Sequence, residues 1–122
     1  MSLVLIVEDN DKSLKLVRDV LQATGYQTVE AISAEEGLVI ARERLPQLVL
    51  MDIQLPGMNG IEALRRLRAE PATRNIPVIA ISASVMQQAR REIVQAGFDG
   101  FIEKPIDLKQ FLGAVAKALK KA

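Results

Sequence analysis

The chain is predicted to fold as an α/β domain, a doubly wound five-stranded parallel sheet in the order 2-1-3-4-5. Three observations carry this. Short apolar, β-branched runs alternate five times with stretches of helical periodicity. The third run, Leu48-Val49-Leu50-Met51, is unbroken by polar residues, as expected of a strand covered on both faces. Charged or hydroxyl residues close four of the five runs, at what would be a single edge of the sheet.

The first strand is placed at Leu3 to Val7, ending in Glu8-Asp9-Asn10-Asp11. A helix starts at about Lys12, since Leu14, Val17, Val20 and Leu21 recur at spacings of three and four, and Gly25 stops it. Tyr26 to Ala31 is a short second strand. Ser33 and Glu36 form a capping box for a second helix that runs to about Arg44, before Pro46. Asp52 closes the third strand, and the loop Gln54-Leu55-Pro56-Gly57-Met58-Asn59 follows. The third helix covers Gly60 to Ala69, with Ile61, Leu64 and Leu67 on one face. After a polar connection, Ile76 to Ile81 is the fourth strand, leading into Ser82-Ala83-Ser84. The fourth helix spans Met86 to Ala96 and is closed by Gly97. Gly100 to Glu103 is the fifth strand, followed by Lys104-Pro105. Asp107 caps a last helix whose apolar stripe is Leu108, Phe111, Leu112, Val115 and Leu119.

At 122 residues, 49% apolar and 25% charged, the chain has the size and composition of one soluble domain, residues 1–122. A formal net charge of +1 gives no electrostatic case for nucleic acid or an acidic membrane. No run approaches the roughly 20 apolar residues of a membrane span. Cys is absent, which excludes disulfides and thiol chemistry and suits a cytoplasmic location. His is absent too, which removes a histidine base and most zinc sites. Chemistry must therefore run on carboxylates, hydroxyls and amines.

In the order 2-1-3-4-5 the ends of strands one and three are neighbours, which gathers Glu8, Asp9 and Asp52. Like charges so close raise one another's pKa unless a counterion joins them. With no His or Cys to bind a softer metal, the fitting ion is Mg²⁺, which takes one or two carboxylates and often a phosphate. Ser82 and Lys104, at the ends of strands four and five, add a hydroxyl donor and a cation on the same edge. Carboxylate, metal, hydroxyl and ammonium together suit acceptance of a phosphoryl group as an aspartyl phosphate on Asp52. Taken singly, the acidic run reads as helix capping, Ser82 and Ser84 as N-caps, Lys104-Pro105 as a turn, and Gly57 and Gly60 as turn residues. Their coincidence at strand ends is what favours the functional reading.

At these residues the whole chain resembles the receiver domain of two-component response regulators. The matching pieces are Leu5-Ile6-Val7-Glu8-Asp9-Asn10, Met51 to Gly60, Ile79-Ala80-Ile81-Ser82-Ala83, Ala96-Gly97 and Lys104-Pro105. The likeness is greatest to stand-alone members of the chemotaxis and cell-cycle type, with no output domain. It implies a flavodoxin-like fold and phosphorylation of Asp52 by a sensor histidine kinase or a histidine phosphotransfer protein. It also implies Mg²⁺ held by Glu8, Asp9, Asp52 and the backbone carbonyl of Gln54. Ser82 would be the switch hydroxyl and Phe101 the switch aromatic. Lys104 would pair with the phosphoryl group, and its bond to Pro105 would be cis. A downstream protein would dock on the face of helix four, strand five and helix five, the chain being a monomer or weak homodimer.

Two positions depart from the commonest family pattern: Ser82 stands for threonine and Phe101 for tyrosine. Gln54 and Ser84 occupy positions that tune phosphoryl lifetime in such domains. A haloacid-dehalogenase-type enzyme would need a second Asp where Gln54 stands. Flavin- and dinucleotide-binding relatives would need a phosphate-binding or glycine-rich loop where Glu8-Asp9-Asn10-Asp11 stands. A receiver that is never phosphorylated would be expected to have lost the acidic pair, Asp52 or Lys104, and all are present.

Overall fold

The computed structural model describes residues 2–83 and 87–120. Strands and helices alternate throughout: β1 (Leu3–Val7), α1 (Asp11–Ala23), β2 (Gln27–Ala31), α2 (Ala34–Arg44), β3 (Leu48–Asp52), α3 (Gly60–Ala69), β4 (Val78–Ala83), α4 (Gln87–Ala96), β5 (Gly100–Lys104) and α5 (Leu108–Lys120). The strands pair in parallel as β2-β1-β3-β4-β5, the order expected from the sequence. Ser84, and Met86 as the expected first residue of the fourth helix, lie outside the described residues.

Period-two alternation along the central strands sorts the core into two layers. Val4, Ile6, Leu48, Leu50, Ile79 and Ile81 face Leu14, Val17 and Leu21 of α1 and Phe111, Val115 and Ala118 of α5. Their neighbours Leu5, Val7, Val49, Met51 and Val78 face Leu38 and Ala41 of α2 and Ala63, Leu64 and Leu67 of α3. Both faces of β3 are thus covered, and all five of its residues are buried. This explains why its sequence shows no polar alternation.

Side-chain caps set the helix starts. Asn10 Oδ1 accepts the Ser13 N–H at 3.0 Å and starts α1 at Asp11, one residue before the expected position. Ser33 Oγ accepts the Glu36 N–H at 3.1 Å, while Glu36 Oε1 reaches back to the Ile32 N–H at 3.0 Å. The reciprocal half of the capping box therefore lands one residue earlier than the standard motif has it. Leu45 ends α2 in the left-handed region at φ 46°, because Pro46 disfavours a helical residue before it. Asp107 Oδ1 accepts the Lys109 N–H at 3.0 Å and so caps α5.

Four strand boundaries and one stripe residue differ from the sequence reading. Tyr26 spends its N–H on Leu21 O at 3.0 Å, so β2 starts at Gln27. Ile76 bonds back to Thr73 O at 3.1 Å and Pro77 has no N–H to give, so β4 starts at Val78. At the other end, Ser82 and Ala83 pair in register with Glu103 and Lys104, which carries β4 on to Ala83 and β5 to Lys104. Leu108 is 45% exposed at the first turn of α5, so the buried stripe begins at Phe111.

Candidate functional site

The carboxyl ends of β1, β3, β4 and β5 deliver four polar side chains to one edge of the sheet. Glu8 follows β1 and stays in line because its N–H bonds Ala31 O at 3.0 Å. Asp52 is the last residue of β3, Ser82 lies in β4, and Lys104 ends β5. Glu8, Asp52 and Ser82 are 2%, 4% and 1% exposed, burial that is costly for polar groups unless each is bonded.

Lys104 Nζ supplies the counter-charge. It lies 2.7 Å from Glu8 Oε1 and 3.3 Å from Asp52 Oδ2. The shorter contact, to Glu8, is one that sequence reading missed. β1 and β5 are separated by two strands, and only the length of the lysine stem bridges them. Ser82 and Ala83, at the end of the intervening β4, pair in register with Glu103 and Lys104.

The other Asp52 oxygen, Oδ1, accepts the Gln54 N–H at 2.9 Å, so the loop after β3 folds back onto the carboxylate. Glu8 Oε2 accepts the Asn10 N–H at 3.3 Å. Asp9 is exposed beside them, and one oxygen from each of Glu8, Asp9 and Asp52 lies within 4.8 Å of the others. Ser82 Oγ donates to Ala83 O at 3.3 Å instead of reaching Asp52. Phe101 is half-buried on β5 opposite Ala80, Gln54 and Pro105 are exposed, and the Lys104–Pro105 peptide is cis.

These contacts divide the charges unequally. Burial, reinforced by the neighbouring Asp52, pushes the Glu8 carboxyl up to about 7. Burial acts on Asp52 in the same direction, but bonds from Glu8 and the Gln54 N–H, with Lys104 alongside, hold it below its ordinary value. Burial disfavours the Lys104 ammonium, yet the two carboxylates outweigh it and raise its pKa. At neutral pH the Asp52 carboxyl is therefore ionised, and Glu8 sits near its titration point.

The donor set fits a hard divalent cation. Three carboxylates converge with no nitrogen or sulfur ligand beside them, and oxygens this close can share one ion directly or through its waters. Elsewhere, a surface cleft of about 390 Å³ lies between α3 and α4, bordered by Asn59, Glu62, Arg65 and Glu92, away from the carboxylates.

The fold is shared with known proteins. The response regulator receiver domain family matches the chain over residues 4–116. The polar-differentiation response regulator DivK of Brucella ovis is 42% identical over 116 residues, 95% of this chain and 94% of that relative. The receiver domain of a Pseudomonas aeruginosa sensor histidine kinase, solved with magnesium coordinated in its active-site cleft, has a TM-score of 0.90 at 26% identity and covers 98% of both chains. A CheY-like receiver domain protein of Methanospirillum hungatei has a TM-score of 0.90 at 26% identity, over 99% of this chain and 95% of that one. By its match across nearly all its length, the chain belongs to the response regulator receiver domain family.

Proposed function

We propose that this receiver is a phosphoacceptor switch in a two-component phosphorelay, with Asp52 as the acceptor and residues 1–122 acting as one unit. The observation that carries the proposal is the state of Asp52. It is buried, ionised and held by Lys104 beside two further carboxylates at the open edge of the sheet. In the transfer, an Asp52 carboxylate oxygen attacks the phosphorus of a phosphohistidine. The P–N bond breaks, its electron pair stays on the imidazole, and an acyl phosphate forms on Asp52.

Glu8, Asp9, Asp52 and the Gln54 carbonyl are the residues that would hold Mg²⁺. When bound, the ion neutralises phosphoryl oxygens that the carboxylates would otherwise repel. Lys104 then transfers its ammonium from Glu8 and Asp52 toward the incoming phosphoryl group. The Ser82 hydroxyl leaves Ala83 O for a phosphoryl oxygen, and Phe101 follows it inward. This alters the face of α4, β5 and α5, where a downstream protein would dock. The donor is a sensor histidine kinase or histidine phosphotransfer protein, met in the cytoplasm. The chain catalyses its own phosphorylation and dephosphorylation and turns over no other substrate. No helix among the described residues is long and apolar enough to cross a membrane.

Incubation with acetyl phosphate and Mg²⁺, read by intact-protein mass spectrometry, tests the acceptor. Wild type and Asp19→Asn, whose Asp19 lies on the exposed side of α1, should gain one phosphoryl group, and Asp52→Asn none. Equal labelling of Asp52→Asn and wild type would sink the assignment.

A further inference from the structure

We infer that Gly60 is a positioning residue for Asp52: lacking a Cβ, it lets the first turn of α3 rest on the Asp52–Ile53 backbone and so fixes the acceptor carboxylate. The inference rests on the reading of Asp52 given above. Turn geometry does not explain this glycine. The glycines held at positive φ are Gly25, Gly57 and Gly97, whereas Gly60 starts a helix in a conformation open to any residue.

Close approach does explain it. A Cβ at Gly60 would lie 2.8 Å from Asp52 O, 3.0 Å from Ile53 Cα and 3.1 Å from Ile53 Cδ1. The two nearest are backbone atoms at the end of a buried strand, which cannot swing aside as a side chain can. At Gly37 a Cβ would meet Val7 side-chain atoms, and at Gly113 it would meet nothing within 4 Å.

The contact is also bonded. The Gly60 N–H donates to Ile53 O at 3.1 Å, closing the loop, while the Ile53 N–H donates to Ile81 O of β4 at 3.0 Å. Asn59 Oδ1 caps the same turn by accepting the Glu62 N–H at 3.0 Å. The end of β3 is therefore gripped between β4 and the first turn of α3. An added methyl must push α3 outward or shift the Asp52–Ile53 backbone, and either moves the carboxylate relative to Glu8 and Lys104. A displacement near 1 Å costs on the order of a hundredfold in a positioned reaction.

The test is the initial rate of phosphorylation by acetyl phosphate at saturating Mg²⁺ for wild type, Gly60→Ala and Gly113→Ala, each below its melting temperature. Gly60→Ala is expected to lose roughly tenfold or more in rate, and Gly113→Ala to match wild type. A Gly60→Ala protein that melts lower but reacts at the wild-type rate overturns the inference, since a merely structural glycine behaves that way. If Gly60→Ala does not fold, Asn59→Ala, which loosens the turn without adding an atom, takes its place: a slower rate supports positioning and an unchanged rate overturns it. Wild type left unlabelled, or Asp52→Asn labelled equally, sinks the reading of Asp52 itself. Labelling at Asp52 with Gly60→Ala undiminished sinks only the role of Gly60.

Discussion

In the proposed switch, the protonation of Glu8 would decide when the site takes Mg²⁺. Burial disfavours the charge of Glu8 and raises its folded pKa from the ordinary 4.5 to about 7. Between those values the folded chain keeps a proton that the unfolded chain has released. Metal-free stability from this group is therefore full below the unfolded value and is lost as pH rises through about 7. Mg²⁺ requires the ionised carboxylate, so its affinity should rise with pH through the same window, with about one proton released per ion at the acidic side. Calorimetry in buffers of different ionisation enthalpy measures both quantities. Glu8→Gln should abolish the dependence, and an affinity flat across the window in wild type would refute it. Residue identities at the site were legible in the sequence because strand ends collect them. The Lys104–Glu8 contact was not, since it depends on one long side chain reaching across two intervening strands.

At the scale of elements, intrinsic preference and tertiary need part company in α5. Gly113 sits mid-helix, exposed, with open space where a Cβ would go. Gly113→Ala should therefore stabilise the fold by about 1 kcal/mol, read as a higher urea midpoint at unchanged slope. A loss of stability would show that the glycine answers to something beyond its helix. The elements themselves were readable because short unbroken apolar runs alternate with stretches of 3.6-residue periodicity along the chain. Boundaries were less so, since Tyr26 and Ile76 are strand-like side chains whose backbone donors are claimed by turns. Leu108 reads as the start of a stripe but falls on the outer side of its helix.

For the molecule as a whole, the sheet separates two apolar layers that share no side chains. Ile79 belongs to the layer under α1 and α5, and Leu67 to the layer under α2 and α3. Ile79→Val should cost about 0.5–1.5 kcal/mol and Leu67→Ala about 2–5 kcal/mol. Combined, they should add to within roughly 0.5 kcal/mol, since neither cavity borders the other. Chemical denaturation of both singles and the double measures this, and strong coupling would mean that strain crosses the sheet.

The strand order has one more consequence, which concerns the ribosome. In β2-β1-β3-β4-β5, every strand after the second is laid against the one before it in sheet order, β3 on β1, β4 on β3 and β5 on β4. An emerging chain can extend its sheet outward in the order of synthesis and never has to prise apart strands already paired. The acidic side chains at the ends of β1 and β3 are in place first, and Lys104 arrives on the last strand. A nascent domain folded only as far as β4 carries its carboxylates uncompensated, and the final strand brings the charge that settles them.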